Sequence, residues 1–138
     1  MRHITSMATW PDSIRAGETE LHEPLVRRVL APNPSPYTFT GTQTWLVGAG
    51  RDVAVIDPGP AGSGLSIGDP ALSGEGHVEA ILRATQGQRV VAILCTHTHR
   101  DHSPAAAPLK AATGAPIIAH RDAAARLPEL ELSFRDYV

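Results

Sequence analysis

Hydrophobic and polar positions divide the chain into four regions. Residues 1–24 mix polar, proline and glycine residues without a period and read as a leader with little fixed structure. From residue 25 to 57 the pattern is strand-like. Residues 25–30 form a short apolar run, Asn33-Pro-Ser-Pro36 a turn, and residues 38–47 are rich in Thr, Phe and Trp. Gly48-Ala-Gly-Arg-Asp52 then reads as a hairpin connection into Val53-Ala-Val-Ile56, which completes a β-meander with tight loops.

Residues 59–76 (GPAGSGLSIGDPALSGEG) separate this meander from a helix predicted over 77–85. A glycine-rich segment between strand and helix raises the question of a phosphate-binding loop. The spacing fails that test: Gly62 and Gly64 are followed by a third glycine one residue late, at Gly68, and the segment is far longer than a tight turn. It reads as a surface insertion.

The second half begins with Arg89-Val-Val-Ala-Ile-Leu-Cys-Thr96, a continuous β-branched run that predicts a strand covered on both faces. It leads directly into Cys95-Thr-His-Thr-His-Arg-Asp-His-Ser-Pro104. Ser103 is then a candidate helix cap and Pro104 suits a first helical position. Alanine-rich residues 105–113 predict a helix stopped by Gly114, with Pro108 expected to kink it or delay its start. A short strand over 115–119 and one or two helical turns over 122–127 follow. Strand, loop, helix, strand, helix is an α/β arrangement, and the metal-type residues stand at the C-terminal end of a strand, where open α/β sheets place ligands.

Composition narrows the classes. A chain of 138 residues is one domain, and its 42% hydrophobic and 19% charged residues are those of an ordinary soluble globular protein. The net charge of -2 gives no nucleic-acid signal. No apolar run approaches the ~20 residues of a membrane span. A lone cysteine, Cys95, suits a reducing compartment, so a cytoplasmic protein is expected.

Candidate chemistry is concentrated in residues 97–102, which hold three of the seven histidines and an aspartate. His97 and His99 are two apart at a strand's end, so extended geometry points both rings the same way and lets them share one metal ion. Asp101 and His102 are adjacent where the chain turns and can serve a second ion alongside. Imidazole and carboxylate without thiolate suit zinc, and also iron or manganese. Several desolvated imidazoles and a carboxylate would be costly to gather without a cation.

The run Thr96-His-Thr-His-Arg-Asp-His102 resembles the T-H-x-H-x-D-H signature of the metallo-β-lactamase superfamily. Gly41-Thr-Gln-Thr-Trp-Leu-Val-Gly48, followed by Val53-Ala-Val-Ile-Asp-Pro-Gly59, resembles that family's opening hairpin, and residues 25–127 are covered in all. Among subgroups the chain looks most like the β-lactamase-like-protein-2 and glyoxalase-II-like branch, with Gln43 where that branch often carries Asn. The resemblance implies an α/β (α+β) fold in which residues 25–138 form the N-terminal half of a four-layer αββα sandwich. It implies two zinc ions, with His97 and His99 on the first and Asp101 and His102 on the second. A hydroxide between them would attack an ester, thioester, amide or phosphodiester of a small-molecule substrate. Asp101 would be the catalytic group that orients this hydroxide and carries its proton to the leaving group, and Asp57 would stand behind the ligands, tethering their loop.

The family completes its site with a third His for the first metal, a bridging Asp and a further His for the second. In this chain only His120 follows the motif, and it reads as a strand-end residue. His77, at a helix start, and His3 and His22 in the leader read as structural or solvated. The resemblance therefore covers the N-terminal portion of the domain, and uncovered sheet faces are expected to favour self-association. Two alternatives remain open: a non-catalytic metal-binding or interaction module, and the mononuclear iron sulfur dioxygenase chemistry that the same motif serves.

Overall fold

A computed structural model describes residues 14–36, 38–61, 73–97, 102–120 and 130–133. Seven strands form one sheet in chain order: β1 (Thr19–Glu23), β2 (Val26–Leu30), β3 (Gln43–Val47), β4 (Asp52–Ile56), β5 (Arg89–Leu94), β6 (Ile117–Ala119) and β7 (Leu130–Ser133). Neighbours from β1 to β4 are antiparallel, and those from β4 to β7 are parallel. The change falls at β4, where hairpins give way to the helical crossovers that parallel pairing requires. Helix α1 (His77–Ala84) joins β4 to β5, and α2 (Ala106–Thr113) joins β5 to β6. Among the described residues no helix is long and apolar enough to cross a membrane.

Both helices pack on one face of the sheet. Val29, Leu46, Val53 and Val55 meet Ala80 and Ile81 of α1 and Ala106 and Leu109 of α2 in a single buried cluster. A bulge in β5 keeps the pattern in phase. Val53 pairs with Val90 and Ala54 with Ala92, so Val91 is the extra residue and is 36% exposed. Val90 and Ile93, three apart, can then both face the helices. On the opposite face Trp45, Ala54, Ile56, Ala92, Leu94 and Ile118 are only half-buried. A four-layer αββα sandwich packs that face against its second sheet, and the layers seen here are one helix layer and one sheet. The expectation that residues 89–96 are covered on both faces therefore holds for the helix side only.

Three local expectations are corrected. Residues 1–24 are expected to be a leader with little fixed structure, but β1 occupies the end of that segment and Ile14 is buried. Four of the five β1 residues are exposed, so no apolar alternation marks the strand; it exists because β2 offers a backbone edge to pair with. Between 38 and 47 only Gln43–Val47 is strand. The residues before it are held in turns by Asn33, whose amide donates to the Thr42 hydroxyl (2.8 Å) and accepts from the Thr42 N–H (2.7 Å). Helix α2 starts at Ala106, capped by Ala105 rather than Ser103. That start puts Pro108 in the first turn, where N–H groups have no intrahelical partner to lose. The helix ends at Gly114, as expected.

The insertion closes on itself at its base. A Cβ at Gly74 would lie 2.1 Å from the Pro60 carbonyl oxygen, so only glycine lets the two ends meet. Residues 62–72 between those ends, the helical turns expected over 122–127 and the leader before residue 14 lie outside the described residues.

Candidate metal centre

Parallel pairing of β4 with β5 sets the ends of both strands side by side. Just beyond them stand Asp57 and the segment Cys95–Thr96–His97, joined where the Asp57 N–H donates to the Leu94 carbonyl (2.8 Å). Asp57 is a non-glycine residue at φ 53° and is only 8% exposed. Such a conformation persists where surroundings over-determine it, and here they do. Thr44 donates its hydroxyl to the Asp57 carbonyl (2.8 Å), while the carboxylate is engaged from the other side.

That carboxylate reaches 39 residues along the chain. Oδ1 accepts from the Thr96 N–H (2.8 Å), and the Thr96 hydroxyl donates to Oδ2 (2.7 Å) and Oδ1 (3.0 Å). Oδ2 also lies 3.4 Å from Nδ1 of His102, an electrostatic contact that is long for a hydrogen bond. Gly59 completes the clasp with its backbone. Its N–H donates to the His102 carbonyl (2.9 Å), and its carbonyl accepts from the Ala105 N–H (3.0 Å). Asp57 thus holds the start of the histidine loop and Gly59 its end.

Charge follows from these contacts. Burial alone would raise the Asp57 pKa, but the interactions with His102 and Thr96 outweigh it and hold the carboxyl below its ordinary value. Asp57 is an anion at neutral pH. Cys95 is fully buried beside it, and desolvation followed by the Asp57 charge pushes its thiol up to about 12. The chain's single cysteine is therefore a neutral thiol at neutral pH, and among the described residues it is not part of the cluster that offers ligand atoms.

Asp57, His97 and His102 each present a ligand atom, all three within 4.8 Å of one another. The rings of His97 and His102 approach to 4.3 Å between centroids. His97 and His102 are imidazole donors of the kind a divalent zinc-type cation takes, and the anionic Asp57 oxygens, already engaged by Thr96, stand behind them. Of the residues expected from the sequence, the structure brings together His97, His102 and Asp57. His99 and Asp101 lie outside the described residues. His120 follows β6, is exposed, and is not part of the cluster.

Three further residues support this centre without being among those expected from the sequence. His77 is 1% exposed, its Nε2 2.8 Å from the Thr44 hydroxyl. That hydroxyl gives its one proton to the Asp57 carbonyl, so His77 must donate from Nε2. Desolvation, partly offset by the Pro58 carbonyl, lowers its pKa to about 4, and the ring is neutral. Thr44 and Thr96 are the other two supports. Thr96 belongs to the motif and could have been weighed; nothing local marks Thr44 or ties His77 to a site beyond the insertion. His22 lies at the edge of Trp45 (5.3 Å) on the sheet's half-buried face, and His3 is outside the described residues.

These features define an α/β protein with a metal-type cluster at the C-terminal edge of its parallel strands. The profile of the metallo-beta-lactamase superfamily matches residues 37–136, and the chain belongs to that superfamily. An atrochrysone carboxyl ACP thioesterase of Aspergillus chevalieri is 39% identical over 80 residues, 58% of this chain and 23% of that protein. A hydroxyacylglutathione hydrolase of Anaeromyxobacter dehalogenans is 37% identical over 93 residues, 67% of this chain and 31% of that protein. Among solved structures, a beta-lactamase domain protein from Burkholderia ambifaria has the same fold (TM-score 0.59, 22% identity), over 81% of this chain and 35% of its own. The chain thus spans between 23% and 31% of the length of these two curated relatives.

Proposed function

We propose that the chain carries the first part of the site of a zinc-dependent hydrolase acting on a thioester or related ester of a small molecule. The observation that carries this reading is the cluster of Asp57, His97 and His102, held at both ends of its loop by Asp57 and Gly59. The names of the two relatives, a thioesterase and a hydroxyacylglutathione hydrolase, favour carbonyl substrates over phosphodiesters.

In this reading His97 and His99 hold a first zinc ion, and Asp101 and His102 a second. Bound zinc supplies Lewis acidity and brings the pKa of water toward ~7. The chain's own residues do the rest. Asp101 orients the attacking water and passes a proton from it to the leaving group. Asp57 keeps His102 and the start of the loop in place through its contacts with the Thr96 N–H and the His102 ring.

Zinc titration of the purified protein against a chromophoric chelator tests the reading. Zinc uptake should disappear when His97 and His99 are both replaced by Ala and should persist in His120→Ala. In a protein that hydrolyses a thioester, Asp101→Asn should lower kcat by 10²-fold or more while leaving the unfolding midpoint close to wild type. Undiminished zinc uptake in the double variant, or wild-type kcat in Asp101→Asn, would overturn it.

A further inference from the structure

We infer that Thr96 is a positioning residue that fixes the tautomer of His97, placing the ring proton on Nδ1 and leaving Nε2 as the metal-binding atom. This deepens the reading of His97 as a zinc ligand and rests on it for its consequence, though not for its geometry.

The inference follows from counting protons. A threonine hydroxyl carries one hydrogen and accepts on its lone pairs. Thr96 Oγ1 has two partners, the Asp57 carboxylate at 2.7 Å and 3.0 Å and Nδ1 of His97 at 2.9 Å. An ionised carboxylate can only accept, so the single hydroxyl proton must point at Asp57. Were it aimed at His97 instead, the hydroxyl oxygen would face an anionic oxygen at 2.7 Å with no hydrogen between them. Oγ1 is then an acceptor toward His97, and Nδ1 must be the protonated nitrogen.

A neutral imidazole with its proton on Nδ1 has its lone pair on Nε2, the nitrogen able to bind a cation. In water the other tautomer is the commoner one. The Asp57–Thr96–His97 chain thus selects, before any metal arrives, the form of His97 that can bind it. The same proton count governs Thr44, whose hydroxyl serves the Asp57 carbonyl and accepts from His77. Asp57 is therefore the end point of two threonine relays, one on its carboxylate and one on its backbone.

The test reads the tautomer directly, by long-range ¹H–¹⁵N NMR of the metal-free protein with ¹⁵N-labelled histidine, at a pH where the ring is neutral. His97 should carry its proton on Nδ1 in the wild type and in Thr96→Ser, and shift toward Nε2–H in Thr96→Val. Zinc affinity, measured by competition with a chelator, should fall about tenfold or more in Thr96→Val and be retained in Thr96→Ser. A wild-type His97 protonated on Nε2 overturns the inference whatever the protein does with zinc, and requires no folded variant. A shared loss in Thr96→Val and Thr96→Ser also overturns it, since the serine keeps the hydroxyl. An Nδ1-protonated His97 in a protein that takes up no zinc supports the relay and overturns the metal reading instead.

Discussion

The imidazole of His77 lies so close against Gly59 that a Cβ on residue 59 would stand 2.8 Å from both its Cδ2 and Nε2. Gly59 also sits at φ +90°, where side chains strain the backbone. Through this contact the first turn of α1 supports the segment that grips the histidine loop, although neither residue belongs to the motif.

Gly59→Ala should therefore destabilise the protein by about 1–3 kcal/mol, read from the denaturant midpoint. It should also weaken zinc uptake, because Gly59 bonds to His102 and Ala105 through its backbone. In a His77→Ala background the collision is gone and only the φ strain remains, so Gly59→Ala should cost less there than in the wild type. No cost at all in that background would show that backbone strain at residue 59 is unimportant.

His77 predicts a pH dependence. Its folded pKa of about 4 lies below the ordinary 6.5, so the unfolded chain binds the extra proton across that interval. Stability contributed by the neutral ring is complete above pH 6.5 and is lost as pH falls toward 4, by on the order of 3 kcal/mol in total. Equilibrium unfolding of the metal-free protein from pH 7 to 4.5 should show this slope, and His77→Gln should flatten it. An equal slope in both proteins would assign the effect to other groups.

Asp57→Asn keeps the size of the side chain but replaces an anion that accepts from Thr96 with an amide that accepts at one atom only. Loss of charge-assisted bonds at a buried site should cost about 1.5–3 kcal/mol. Zinc affinity should fall 10–100-fold, because the loop loses its fixed start. Isothermal calorimetry and thermal melts check the two effects separately; wild-type affinity in the variant would show that the histidines need no anchor.

The face carrying Trp45, Ile56, Ala92 and Leu94 is half-buried in the described structure. The 138-residue chain should therefore associate, and sedimentation velocity should show a concentration-dependent rise in mass. A charge placed on that face, as in Leu94→Lys, should shift the distribution toward monomer. A wild-type chain that is monomeric across the micromolar range would show that the face is already sufficiently covered.

What could be read from the sequence is what neighbouring residues decide among themselves. Alternation marks β4, the β-branched run marks β5, and Gly114 stops α2 where expected, since each depends on side chains a few positions apart. His97 at a strand's end, two before His99 and five before His102, was enough to indicate a metal and a family. Spacing along one short loop is itself a local geometry. β1 was missed because it buries almost nothing and owes its form to the edge of β2, and β7 because a four-residue strand carries too little pattern.

The tertiary structure alone decided how the loop is held. The Asp57 carboxylate meets Thr96 39 residues away because β4 and β5 lie parallel, with Ile56 paired to Leu94. His77 meets Thr44 across 33 residues because α1 packs back on the sheet after the insertion. Hydrogen bonds of this kind depend on positions in space fixed by the register of the whole sheet, and no periodicity in the chain records that register. The sequence placed His97 and His102 in one short loop; how the His97 ring is oriented depends on Thr96 and Asp57, which only the folded sheet brings within 3 Å of one another.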